Sequence, residues 1–181
     1  MIRPTARKLA ATAAAVGTAL VVTGGAGAAQ AAPAGTPTPQ AVATCGTPDL
    51  RIGFLERLGG GMNHAGATLE LKNTSGHVCA LRGYPGVGLE NARHASLPTR
   101  TVWGATWYAD DPGKQLVLLK PGEAAQANVA WTHSGSDAQQ ADYLRVTPPG
   151  ATTYRTVPLG DLVDHGEVHI TAVAHKVPVR G

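Results

Sequence analysis

Trp103, Trp107 and Tyr108 crowd into the stretch between Pro98 and Pro112. Aromatic rings displayed on a protein surface stack on the apolar faces of sugars and anchor interfaces. The cluster is therefore a candidate ligand-binding strip, with a cell-wall glycan as one class of partner. In an extended strand Trp103 and Trp107 would share one face, about 13 Å apart. The competing reading packs these rings inside or uses them to pin down a long loop. Two further spacings bear on metals. Met62 and His64 follow Gly59-Gly60-Gly61, and a thioether beside an imidazole suits soft Cu(I). Two ligands make an incomplete site, however, and Met62 is the only methionine beyond Met1. His165 and His169 would converge on a helix but lie about 13 Å apart on a strand, and His169 sits in strand-like sequence. No metal or other cofactor is expected.

Catalytic patterns are missing from the sequence. It holds no Gly-x-Ser-x-Gly elbow, and Ser75, Ser96, Ser134 and Ser136 all lie in polar loop sequence. Asp110-Asp111 and the Asp137/Asp142 pair match no calcium loop. Asn73-Thr74-Ser75 has the glycosylation pattern but reads as the turn after a strand. The expectation is a protein that binds rather than catalyses.

Elements must position these residues, and charge shows where the folded part begins. The 181 residues carry 15 Lys+Arg and 12 Asp+Glu, a formal charge of +3. Arg3, Arg7 and Lys8 precede an uncharged run rich in Ala, Val and Leu that ends in Ala29-Gln30-Ala31. A basic start, an apolar middle and small residues at the end form a secretory signal segment. It is expected to span residues 1–31 and be cleaved. The run is broken by Thr12, Gly17, Thr18 and Thr23-Gly24-Gly25, which argues against a retained membrane span. Without the three n-region charges, 12 basic residues face 12 acidic ones. A neutral domain has no long-range field to draw in a polyanion, so nucleic acid is not an expected partner. Nor is stable membrane insertion after cleavage. No Arg-Arg pair precedes the apolar run, and Val42-Ala43-Thr44 before Cys45 is not a lipoprotein box. The chain is therefore expected to be freely secreted. Residues 32–44 are uncharged and rich in Pro, Ala and Thr, which reads as a flexible linker. A single domain over residues 45–181 follows.

That domain alternates apolar and polar residues with the strand period of two. The pattern covers Leu50–Phe54, Ala67–Lys72, Ala125–Trp131, Leu144–Thr147 and Val168–Ala172. It points Leu69, Leu71, Ala127, Val129 and Trp131 inward. Gln115–Leu119 is apolar on both sides and is expected to be covered on both. Turn clusters separate the runs, among them Asn73–Gly76, Tyr84-Pro85-Gly86, Lys120-Pro121-Gly122 and Pro148-Pro149-Gly150. Short strands without helical crossovers predict an all-β fold, an antiparallel Ig-like β-sandwich. A closed barrel is the alternative. In a secreted chain, Cys45 and Cys79 are most simply a disulfide. Two free thiols are the alternative, which thiol titration under denaturing conditions would expose.

Several motifs recur in one order: Cys45; Leu69-Glu-Leu-Lys-Asn73-Thr-Ser-Gly76; Val78-Cys79-Ala-Leu81; Gly83-Tyr-Pro-Gly-Val-Gly-Leu89; Val117-Leu-Leu-Lys-Pro-Gly122; the strand ending in Trp131; and Leu144-Arg-Val-Thr-Pro-Pro-Gly150. Together they resemble the actinobacterial secreted family known as domain of unknown function 4232, over essentially the whole mature domain. The resemblance implies an extracellular β-sandwich, often lipid-anchored or preceded by a linker, with no established activity or ligand. Relatives of this type commonly carry a second Cys pair. Here the corresponding stretches, Thr132–Asp142 and Leu162–Gly166, contain no cysteine. Function is expected to be that of a cell-envelope binding or interaction module, its partner a cell-wall glycan or another secreted protein.

Overall fold

A computed structural model describes residues 41–59 and 61–180. The expected signal segment and linker residues 32–40 lie outside the described residues. Among the described residues eleven strands follow in order: β1 (Leu50–Gly59), β2 (His64–Asn73), β3 (Cys79–Arg82), β4 (Gly86–Glu90), β5 (Ser96–Leu97), β6 (Arg100–Trp103), β7 (Leu116–Leu119), β8 (Ala124–Thr132), β9 (Gln139–Thr147), β10 (Arg155–Val163) and β11 (Glu167–Ile170). One sheet has the order β1-β2-β8-β11-β6, a second β10-β9-β4-β5, and β3 pairs with β7 alone. All pairings between these strands are antiparallel except β11 with β6. The expected all-β sandwich is what forms. No helix among the described residues is long and apolar enough to cross a membrane.

The alternation read in the sequence positions the core. In β2 and β8 the register sets Leu69 opposite Ala127 and Ala67 opposite Val129. One face of the pair therefore carries Ala67, Leu69, Leu71, Ala125, Ala127, Val129 and Trp131, all buried. They meet Leu89 from β4, Leu144 and Val146 from β9, and Val157, Leu159 and Val163 from β10 in one cluster. Cys45 and Cys79 are joined in the expected disulfide. Just before it, Thr44 pairs in parallel with Ala80, and Ala80 N–H donates to the Ala43 carbonyl at 2.9 Å.

β7 departs from expectation. Val117 and Leu119 are buried, but Leu116 is 62% exposed and Leu118 43%. β3 and β7 make a two-stranded ribbon with one face on the core. Among the described residues no element covers the other, and the apolar run is covered there on one face only.

The outer face of the five-stranded sheet is roofed by two irregular segments, a strap over residues 104–113 and the tail over 171–180. Thr106 Oγ1 donates to Asn128 Oδ1 of β8, and Tyr108 Oη donates to the His64 carbonyl at 2.8 Å. Ala174 pairs with Gln126, and Ala109 with Val179, so strap and tail also hold each other. Ala109, Ala174 and Val177 form a small second core between them. Gly66 makes the close approach possible. A Cβ there would lie 2.7 Å from the Tyr108 ring and 2.8 Å from the Val129 carbonyl oxygen. Gly66→Ala is accordingly expected to cost about 1–3 kcal/mol. Urea denaturation gives the cost, and faster hydrogen exchange at the Arg180 amide, which donates to Tyr108 O, would locate it in the strap.

Candidate functional site

Trp103 is the last residue of β6, beside Ile170 of β11. Its indole is 60% exposed and stacks on Tyr84, with ring centres 5.5 Å apart and planes 8° from parallel. Tyr84 is fixed in turn: its hydroxyl donates to Asp111 Oδ2 at 2.5 Å, and Asp111 Oδ1 accepts from Ala172 N–H at 2.8 Å. Giving up that proton would break the hydrogen bond and set phenolate against carboxylate. The Tyr84 pKa is raised above 10.0, first by the bond to Asp111, then by burial and by the Asp111 charge. Lys114 Nζ lies 5.7 Å from the Tyr84 ring centre. Trp103 is thus held from behind and open in front.

Trp107 lies on the strap. Its ring packs against His64 at 3.9 Å and His169 at 4.6 Å, tilted by 56° and 52°, and it remains 40% exposed. Tyr108 is only half-exposed, because its ring covers Gly66. The sequence-based strip thus divides: two tryptophans face solvent, and Tyr108 pins the strap. Nor do Trp103 and Trp107 share a strand. Gly104, at φ +139°, donates its N–H to the Ile170 carbonyl and turns the chain out of β6, so the two rings belong to different elements.

His169 Nε2 lies 2.7 Å from Glu167 Oε1, and Glu167 also pairs with Arg100. Burial first, and the Arg100 charge second, hold the His169 pKa below 6.5. The folded protein therefore takes up this proton less readily than the unfolded chain. The stability His169 contributes is complete above about pH 6.5 and is lost as pH falls from there through the folded pKa. An NMR titration is expected to place the His169 midpoint below 6.5, and Arg100→Gln should raise it. A midpoint at or above 6.5 in the unmodified protein would contradict the burial argument.

The remaining candidates take different places. Met62 is 91% exposed at a turn, with φ +61°, while the His64 ring is engaged by Trp107. His165 sits in a 3-10 turn between Asp137 and Asp164, at 3.4 and 3.6 Å, whereas His169 faces Glu167, so the two imidazoles serve separate partners. Among the described residues no group of three or more His, Cys, Asp or Glu could hold a metal ion. Ser75 and Ser134 hydroxyls donate to Asn73 and Asn63, Ser136 to Asp137, and Ser96 accepts from Arg145. Asn73 is fully buried, its amide donating to the His77 and Leu119 carbonyls. It closes a turn and offers no acceptor for a glycan.

One polar cluster gave no signal in the sequence. Glu90 is buried, with His94 Nδ1 3.0 Å and Arg145 Nη1 3.8 Å from its carboxylate. The His94 ring stacks on Tyr143, and Arg145 lies over Tyr154. These groups satisfy one another and tie β4 to β9.

A cleft of about 170 Å³ opens beside Trp107, lined also by Thr132, Asp164, His165 and Glu167. Of this set only His165, weighed with His169 as a metal pair, stood out in the sequence besides Trp107. The dense run Asp164-His-Gly-Glu-Val-His169 was the signal available. A family model described as Domain of unknown function (DUF4232) matches residues 45–174, from the disulfide cysteine to the first residues of the tail. No curated protein and no solved structure matches the chain.

Proposed function

The chain belongs to the family described as Domain of unknown function (DUF4232), and from that premise we propose a non-enzymatic binding module working outside the cell, at or near the envelope. Its partner is an envelope glycan or another secreted protein. The observation that carries this reading is the pair of exposed tryptophans, each held by other rings. A large apolar ring left in water forgoes the stabilisation of burial, about 1.5–3 kcal/mol for a large apolar side chain. Exposed Trp on a fixed support is the usual anchor of a binding surface. The buried Cys45–Cys79 bridge fits an oxidising compartment, as does the N-terminal segment described from the sequence. The serine hydroxyls engaged with Asn, Asp and Arg favour binding over catalysis.

The test is retention of the purified chain on isolated cell wall and on immobilised secreted proteins, comparing the unmodified protein with Trp103→Ala and Trp107→Ala. Loss of an anchor is expected to weaken retention by about 30-fold, the effect of roughly 2 kcal/mol. Equal retention by both variants would remove the aromatic surface from the reading.

A further inference from the structure

We infer that the cleft beside Trp107 is a subsite for one neutral sugar unit, the end or a side branch of a glycan. This rests on the reading of Trp107 as a ring that meets the partner, and it assigns that ring a ligand class. The indole supplies an aromatic wall whose face carries partial negative charge, the complement of the C–H face of a sugar ring. Around it stand Thr132 at the end of β8, Asp164 and His165 in the turn before β11, and Glu167 at its start.

Charge and hydrogen-bonding capacity choose among ligands. Asp164 is near His165, and Glu167 is paired with Arg100 and His169. Arg100 offsets the Glu167 charge, and the Asp164 carboxylate that remains disfavours an anion, while an ammonium group, which can only donate, would leave the donors of the cleft unused. What remains is a mixture of acceptors and donors: spare carboxylate lone pairs, the imidazole, and a Thr132 hydroxyl with no hydrogen-bond partner among the described residues. Neighbouring hydroxyls, each able to donate and accept, match that mixture. A volume of about 170 Å³ lies below the roughly 300–1,000 Å³ of sites that enclose a drug-sized ligand. The cleft therefore admits one ring, and the rest of a chain would lie outside it.

The acidic wall is set in place before any ligand arrives. The Asp137 N–H donates to Asp164 Oδ1 at 3.2 Å. Gly135 packs so closely on that carboxylate that a Cβ there would overlap it. His165, at φ +50°, holds a backbone conformation that costs a non-glycine residue energy, and its imidazole stands at the rim.

The test titrates the full chain with maltose, cellobiose, mannobiose and chitobiose, and separately with choline, following the Trp107 indole N–H by NMR. At least one sugar is expected to shift that signal saturably at millimolar concentration. Asp164→Asn and Thr132→Val should each weaken the binding several-fold, and Leu116→Ala, on β7 away from the cleft lining, should leave it unchanged. Gly135→Ala should weaken it as Asp164→Asn does, with both variants checked for unaltered thermal unfolding. Binding of choline but no sugar would overturn the ligand class. Sugar binding insensitive to Asp164→Asn and Gly135→Ala would overturn the cleft as its location. If no sugar binds while cell-wall or protein retention still depends on Trp107, the sugar subsite fails and the binding module stands. If retention also survives Trp103→Ala and Trp107→Ala, the module's aromatic surface fails too.

Discussion

Replacing Cys45 and Cys79 together by alanine is expected to cost about 4 kcal/mol of stability. The bridge spans 34 positions, and closing a loop of that length in the unfolded chain removes entropy worth roughly this amount in the chain-entropy estimate. Both half-cystines are fully buried, so the alanines would also leave space in the core. Local architecture decides where the loss falls. The bridge holds the segment around Ala43–Cys45 against β3, and β3 has only β7 on its other side. A two-stranded ribbon has little stability of its own, and the outer face of this one is bare at Leu116 and Leu118. The ribbon should therefore open before the two larger sheets. Urea denaturation would give the total, and hydrogen exchange at the Ala80 and Cys45 amides should report opening ahead of global unfolding. A loss below about 1 kcal/mol would mean that packing, rather than the bridge, holds the N-terminal segment to β3.

Where one face of a strand is buried and the other wet, the fold was legible in the sequence. β2 and β8 state their inward residues outright, and Trp131 was placed in the core from its neighbours alone. β10 was not legible, because Pro158 and Gly160 contradict strand propensity. The structure resolves the conflict: β10 is an edge strand, and its pairing with β9 shifts register between Pro158 and Asp161, with Gly160 at φ +62°. An edge strand tolerates a missing N–H, and a bulge accommodates the glycine. β7 was misread for another reason. An unbroken apolar run says that one face is buried but does not say what lies over the other. The aromatic site was half-legible: residue types marked it, but the turn at Gly104 and the support under each ring depend on Tyr84, Asp111, His64 and His169, which are distant in sequence from the rings or carry no pattern. The cleft is further still from sequence, since it joins the end of β8 to the turn before β11 through a positive φ at His165.

Trp131→Ala should be the most damaging single substitution in the half of the domain that has no disulfide, at about 3–5 kcal/mol. Trp131 is among the largest fully buried side chains, 1% exposed, at the end of β8 where the two sheets' outer strands β1 and β10 come together. The Arg57 guanidinium on β1 lies 5.6 Å from its ring and donates to the Leu159 carbonyl of β10. The indole Nε1–H donates to Asp161 Oδ2 at 3.1 Å, the carboxylate lying just beyond the β10 bulge. Removing the ring therefore opens a cavity, takes the floor from under Arg57 and strips Asp161 of a donor. Trp131→Phe separates these effects, because it keeps an aromatic body but not the N–H. Asp161 is partly exposed, so water can replace the lost donor, and the hydrogen bond itself should be worth only about 1 kcal/mol. Thermal unfolding of Trp131→Ala, Trp131→Phe, Asp161→Asn and the Phe/Asn double variant would measure both quantities. Were Trp131→Phe as costly as Trp131→Ala, the Asp161 bond rather than ring packing would be what joins the two sheets at this end.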